Sequence, residues 1–321
     1  MKKAKIILLR SELGAGTRGA SMGVDALKIA AIDLGSDYFR KHDEIEVSDE
    51  NWLLLEKVKF KYAKRIRGII KIYERLAKTV ARTLKNPNLF PIVLAGDHSS
   101  AGGTIAGVKT AFPEGRLGVI WIDAHADLHS PYTTPSGNMH GMPLAAALGA
   151  DNIDSATNKL DSKTIELWEK LKNSGGISPK LDFRDLVYIG VRDTEEQEDY
   201  IIEKENIKNI SVRELRLKGV ENTVNEVLEY LRECDHLYVS FDVDSIDPSI
   251  SVGTGTPVPN GLRIKEAKEL MILFAKCPKL RCFEIVEINP TLDTENHMAE
   301  TAFKILEAAT NAALNLEENE N

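Results

Sequence analysis

Asp97-His98, Asp123-Ala124-His125-Ala126-Asp127, Asp242-Val243-Asp244 and Glu287 each follow or end a short apolar run rich in Val, Ile and Leu. Carboxylates and imidazoles are the oxygen and nitrogen donors of divalent cations, and four aspartates with two histidines make a mostly hard set. Such a set suits Mn2+, with Co2+, Ni2+, Fe2+ or Zn2+ as substitutes, while the histidines count against Ca2+. His98, Asp123, His125, Asp127, Asp242 and Asp244 are too many for one catalytic ion that must keep a position open. They fit two ions that share a bridging carboxylate. Taken singly, each of these residues reads as a turn former or a helix cap; taken together at the ends of apolar runs, they read as a metal centre.

Apolar runs of this kind form strands buried on both faces of a parallel sheet, whose functional crevice lies at the carboxyl ends of the strands. Strands are expected at 5–9, 92–95, 117–122, 186–191, 237–241 and 281–286. Helical stretches are expected at 52–85, 164–172, 222–233, 264–275 and 297–316. Strands alternating with helices along the whole chain imply right-handed crossovers and an α/β fold with helices on both faces of the sheet. In extended chain, Asp123, His125 and Asp127 would share one face, as would Asp242 and Asp244. Gly14, Gly16, Gly19 and Gly23 follow the first strand without the spacing of a phosphate-binding signature, so a tight loop at the functional rim is expected.

The 321 residues contain no linker-like tract, and residues 1–316 are expected to form a single α/β catalytic domain, followed by a frayed acidic tail at 317–321. A formal net charge of −8 argues against nucleic acid or an anionic membrane as partner. The basic stretch from Lys57 to Lys85 carries Ile66, Ile70, Tyr73, Ala77, Val80 and Leu84 at helical spacing, which predicts a core-packed helix with a solvated basic face. Cys234, Cys277 and Cys282 are too few and too scattered for a disulfide framework, and they fit reduced thiols in a cytoplasmic protein. The apolar run at 6–9 behind the basic start is too short for a signal core, and no stretch is long enough to span a bilayer.

Between Asp127 and Leu144 lies His129-Ser-Pro-Tyr-Thr-Thr134-Pro-Ser136-Gly-Asn138-Met-His140-Gly141, dense in hydroxyl and amide donors. Beside a dication site, such a loop can receive a small substrate's carboxylate by hydrogen bonds alone. With Gly96-Asp97-His98-Ser99, Asp123 to Asp127, Ser136-Gly137-Asn138-Met139-His140-Gly141, Ser240-Phe241-Asp242-Val243-Asp244 and Gly255-Thr256-Pro257, the chain resembles the arginase branch of the ureohydrolase family from the glycine-rich loop to Pro290.

The resemblance implies a three-layer α/β/α fold on a mostly parallel eight-stranded sheet, two Mn2+ per subunit, and a homotrimer or homohexamer. One ion would take His98, Asp123, Asp127 and Asp242, and the other His125, Asp123, Asp242 and Asp244. Hydroxide between them would attack a guanidino carbon, converting L-arginine and water to L-ornithine and urea. By motif, Glu287 would pair with the guanidinium, with Thr256 beside it. Asp127 or His140 would move a proton. Thr134, Ser136 and Asn138 would receive the carboxylate of the amino acid. Two positions depart from the family pattern. His129 stands where an Asn is usual, and Glu195 where an Asp reads the α-amino group. These departures keep another guanidino acid or formimidoylglutamate in view as substrate, and a non-catalytic metal-binding member of the fold is the remaining alternative.

Overall fold

A computed structural model describes residues 2–315. Its eight strands are β1 (Lys3–Leu9), β2 (Asp43–Glu46), β3 (Leu89–Ala95), β4 (Leu117–Ile122), β5 (Leu186–Ile189), β6 (Lys208–Ile210), β7 (His236–Asp242) and β8 (Leu280–Val286). They form one sheet in the order β2-β1-β3-β8-β7-β4-β5-β6, and every neighbouring pair is parallel. The sheet is therefore wholly rather than mostly parallel. Side chains alternate across it into two cores. Ile6 and Leu8 pack with the helices Gly23–Asp33, Ile264–Ala275 and His297–Ala313. Ile7 and Leu9 pack with Ile66–Leu84, Ala101–Ala111 and Ser162–Lys172 on the other face. Three layers result.

Register brings the functional ends level. Ile122 pairs with Phe241, Phe241 with Ile285, and Ile285 with Leu94, so the four central strands β3, β8, β7 and β4 stop along one line. Asp97-His98, Glu287, Asp242 and Asp123 follow directly from those ends.

β2 and β6 are absent from the sequence reading, because each is a short edge strand. Asp43-Glu44-Ile45-Glu46 and Lys208-Asn209-Ile210 carry charge and amide where a central strand carries apolar residues. The expected helix over 52–85 is also shorter than predicted. A 3-10 turn at Asn51–Leu55 and an irregular segment precede the helix Ile66–Leu84, and Arg65 at φ 58° breaks the join. The irregular segment is pulled across the 129–141 loop: Lys64 N–H donates to the Gly137 carbonyl, and a Cβ on Gly137 would come within 2.0 Å of the Lys61 carbonyl. From Ile66 to Val80 the predicted apolar face is buried, with Leu84 partly so. The closing helix ends at Ala313, and the expected tail at 317–321 lies outside the described residues. Among the described residues, no helix is long and apolar enough to cross a membrane.

Candidate metal centre

Asp123, Asp242 and Asp244 each commit one oxygen to the backbone and leave the other for the cleft. Asp123 Oδ1 accepts His125 N–H at 2.7 Å, Asp244 Oδ1 accepts Ala124 N–H at 3.1 Å, and Asp242 Oδ1 accepts Asp244 N–H at 2.8 Å. The Oδ2 atoms of Asp123, Asp127 and Asp242 lie 3.0, 3.1 and 3.1 Å from His98 Nδ1. Asp244 Oδ2 lies 2.9 Å from His125 Nδ1, with Asp123 Oδ1 at 3.6 Å. Asp123 thus stands between two clusters, one around each histidine.

The convergence expected from strand alternation occurs, but by another route. Asp242 caps a 3-10 turn at Val243–Ser245 that carries Asp244, and Asp127 adopts φ 48° rather than an extended conformation. Local turns, not the pleat, aim these carboxylates.

A hydroxyl relay sets the tautomer of His98. Its ring stacks on Trp121 of β4, with centroids 4.1 Å apart and planes 5° apart. Its Nε2 lies 2.7 Å from Ser240 Oγ, which donates to Glu284 Oε1 at 3.3 Å, while Thr104 donates to Glu284 Oε2 at 2.5 Å. With its own proton directed at Glu284, Ser240 accepts from Nε2–H, and Nδ1 presents a lone pair to three carboxylates. His98 Nδ1 and Asp123 Oδ2 are both buried, and neither has a partner in hydrogen-bonding geometry. A lone pair facing anions at 3 Å is repulsive unless a cation lies between them. The donors therefore fit a metal ion.

The electrostatics agree. Asp97, Asp123, Asp127, Asp242, Asp244 and Glu287 gather around His98, His125 and His140, an excess of acid. Burial, then Asp244 and Asp123, pushes the Asp242 carboxyl well above the usual range. Burial and Asp123 push Asp244 up to about 6, and burial and Glu287 do the same to Asp97. Burial opposes charge on His98, yet Asp123, Asp127 and Asp242 outweigh it and hold its pKa well up. A site this rich in buried acid favours a cation.

Glu287 sits at φ 65°, its N–H donating to the Gly96 carbonyl. Its Oε1 accepts His98 N–H at 2.8 Å and lies 3.2 Å from His140 Nδ1. Gly255 lies beside its other oxygen, since a Cβ there would be 3.8 Å from Oε2. The next residue, Thr256, donates its hydroxyl to Asp244 Oδ2 at 3.3 Å. The glycine-rich loop closes the rim. Gly14 N–H donates to Asp97 Oδ2 at 3.0 Å, and any side chain at Gly14 would strike Asp97 or Ser99.

The family model described as the arginase family matches residues 2–311. The chain belongs to the arginase family. An arginase from Bacillus caldovelox is 34% identical over 319 residues, covering 95% of this chain and 97% of its own. The native structure of the arginase from that organism superposes with a TM-score of 0.80 at 33% identity, over 97% of this chain and 98% of that one. A formimidoylglutamase from Bacillus subtilis has the same fold, with a TM-score of 0.75 at 20% identity, over 99% of this chain and 89% of that one. Arginase-family proteins are metal-dependent hydrolases acting on the C–N bond of guanidino groups.

In this arginase-family chain the residues expected to face a substrate fall into two groups, one at each end of the 129–141 loop. Thr134 is buried and accepts Gly137 N–H at 2.9 Å, exposed Ser136 accepts Asn138 N–H at 3.1 Å, and Asn138 Oδ1 accepts Lys64 Nζ at 2.9 Å. With those acceptors occupied, the hydroxyl protons and the Asn138 amide are what remain to offer an anion. At the other end, His129 Nε2 lies 3.0 Å from Glu195 Oε2 and its Nδ1 3.0 Å from Thr133 Oγ1. The two departures from the family pattern therefore touch each other. The hydrogen bond from His129 outweighs burial and brings the Glu195 carboxyl down to about 2. Burial and then Glu195 push the neighbouring Glu198 carboxyl well up.

Sequence reasoning missed Ser240 and Glu284 behind His98, Glu198 beside Glu195, and Lys64. Glu284 did carry a signal, as an acid inside the apolar run Cys282-Phe283-Glu284-Ile285-Val286. Lys64 carried none, because only the fold brings it to the loop.

Proposed function

We propose that this protein hydrolyses L-arginine to L-ornithine and urea with two divalent cations, Mn2+ by the chemistry of the donors. His98, Asp123, Asp127 and Asp242 would hold one, and His125, Asp123, Asp242 and Asp244 the other. The observation that carries this reading is the unpartnered Nδ1 of His98 facing three carboxylate oxygens beside the Glu287–His140 pair. When bound, the cations supply a water acidic enough to attack a guanidinium carbon at neutral pH.

The residues of the chain do the rest. Glu287 is fixed through Oε1 by the His98 amide, and Gly255 leaves room beside Oε2 for a planar guanidinium to form charge-assisted hydrogen bonds. That contact orients the carbon for attack. Burial lowers the pKa of His140, but Glu287 reverses this and raises it to about 9. Held against Glu287, His140 would deliver a proton to the departing amine, with Asp127 as the second candidate. His129 and Glu195 meet at hydrogen-bond distance, so the longer acid still holds a carboxylate at the α-amino end of the site.

The test is Mn2+-loaded protein assayed on L-arginine, agmatine and guanidino acids of other lengths, with products identified by mass. Urea and ornithine are expected, with agmatine at least a hundredfold poorer in kcat/KM. Absence of urea from every compound overturns the enzymatic reading. Agmatine equal to arginine, or another guanidino acid better by more than about tenfold, a difference of about 1.4 kcal/mol in the transition state, overturns the substrate.

A further inference from the structure

We infer that Lys64 is a specificity-determining residue, supplying the positive charge to which the α-carboxylate of an amino-acid substrate docks. This rests on the amino-acid reading above.

The loop expected to receive the carboxylate contains no cation from Ser130 to Met139. The fold brings one. Lys64 is half-buried, in the irregular segment just before the helix Ile66–Leu84. Its N–H holds the Gly137 carbonyl at 2.9 Å, and its Nζ donates to Asn138 Oδ1 at 2.9 Å. Among the described residues Lys64 forms no ion pair, and its ammonium is met by a neutral amide oxygen. A half-buried ammonium with a neutral partner keeps two donors and an unbalanced charge, an arrangement that favours an anion.

Other cations of this region are engaged elsewhere. Arg18 is committed to the carbonyls of Glu12 and Ala15 at 2.8 and 2.6 Å, and Arg65 donates to the Leu53 carbonyl. Asn138 Nδ2 lies close to the glycine-rich loop, since a Cβ on Gly16 would come within 2.7 Å of it. The amide therefore stands between Lys64 and that loop. Two residues further on, His140 touches Glu287.

The poles of the loop are then opposite in sign. His129 at its start contacts Glu195, whose side chain is half exposed, while Asn138 at its end contacts Lys64. An ammonium suits the first pole and a carboxylate the second. An α-amino acid satisfies both, whereas a simple amine leaves Lys64 unpaired, and discrimination of this kind costs the wrong ligand more than it rewards the right one.

The experiment measures binding of L-ornithine and putrescine to Mn2+-loaded protein by calorimetry, in wild type, Lys64→Gln and Lys64→Arg, with KM and kcat for L-arginine alongside. In wild type, L-ornithine is expected to bind at least tenfold tighter than putrescine. Lys64→Gln should weaken L-ornithine about tenfold, leave putrescine within twofold, and raise KM for arginine with kcat nearly unchanged. Lys64→Arg should recover most of the loss. If wild type prefers L-ornithine and Lys64→Gln keeps that preference, or if the variant weakens both ligands equally, the assignment of Lys64 is wrong and the amino-acid reading stands. If wild type shows no preference for L-ornithine, the amino-acid reading itself fails and takes this assignment with it.

Discussion

Replacing Glu284 with Gln should move two properties in opposite directions. Glu284 is fully buried in the middle of β8, and its oxygens accept one hydroxyl each, from Thr104 and Ser240. Among the described residues it forms no ion pair, and burial pushes its carboxyl upward against the opposing pull of His98. An ionised carboxylate held this way is destabilising by itself, and replacing an uncompensated buried charge with a neutral isostere is worth about 1 kcal/mol or more. Protein prepared without metal should therefore unfold at higher urea concentration in Glu284→Gln than in wild type. The same carboxylate polarises Ser240 and so keeps the proton of His98 on Nε2. Losing that support behind a metal ligand costs about 10- to 100-fold in metal affinity, or about 1.4 to 2.7 kcal/mol. Mn2+ titration can be followed by fluorescence of Trp121, which stacks on His98. A Trp121→Phe control identifies its share of the signal. If stability and affinity fall together, Glu284 is a packing residue. If affinity is unchanged, the relay does not set the tautomer.

Three further outcomes are expected. Asp123→Ala should lose both ions, because Asp123 stands between the two histidine clusters, while His125→Ala should lose one preferentially; elemental analysis counts them, and two ions per chain in Asp123→Ala would contradict the bridging role. Lys180 is buried with its Nζ on the Lys172 carbonyl, and burial brings its pKa down from 10.5 to about 8. Its folded pKa lies below its unfolded one, so the unfolded chain binds the extra proton and stability should rise from about pH 8 to 10.5, a slope that Lys180→Met removes while adding about 1–2 kcal/mol at pH 7. Gly14→Ala should weaken Mn2+ binding several-fold without a comparable loss in melting temperature, since a Cβ at 2.5 Å from Asp97 Oδ1 displaces the cap of the turn that carries His98; calorimetric titration beside thermal unfolding checks it.

The central strands and the acids behind them were legible because parallel strands covered on both faces leave uninterrupted apolar runs, and a charged residue ending such a run stands out. β2 and β6 were not, since a strand paired on one side has no such run to show. Asp242 and Asp244 were expected to share one pleated face, but a 3-10 turn aims them instead, Asp242 towards His98 and Asp244 towards His125. In the 129–141 loop the residue types announced hydrogen bonding, but not that the oxygens of Thr134, Ser136 and Asn138 are occupied as acceptors. His129 and Glu195 were each conspicuous, yet their contact depends on how the turn after β5 folds back, and spacing in sequence does not encode it. Lys64 and Glu284 show the remaining limit. One reaches the site across 74 positions of chain, and the other acts through a hydroxyl on a neighbouring strand.

Asp127 and Glu287 both hold left-handed backbone, at φ 48° and 65°. That conformation costs a side-chain-bearing residue about 1–2 kcal/mol relative to glycine. Glycine at either position would be the locally favoured choice, and it would delete a carboxylate from the cleft. Any lineage screened for robustness alone, as in directed evolution under heat, is therefore drawn toward erasing these two residues. A stabilisation campaign on this scaffold has to hold positions 127 and 287 fixed and seek its gains elsewhere, because there the chain's preference for folding and its capacity for chemistry point in opposite directions.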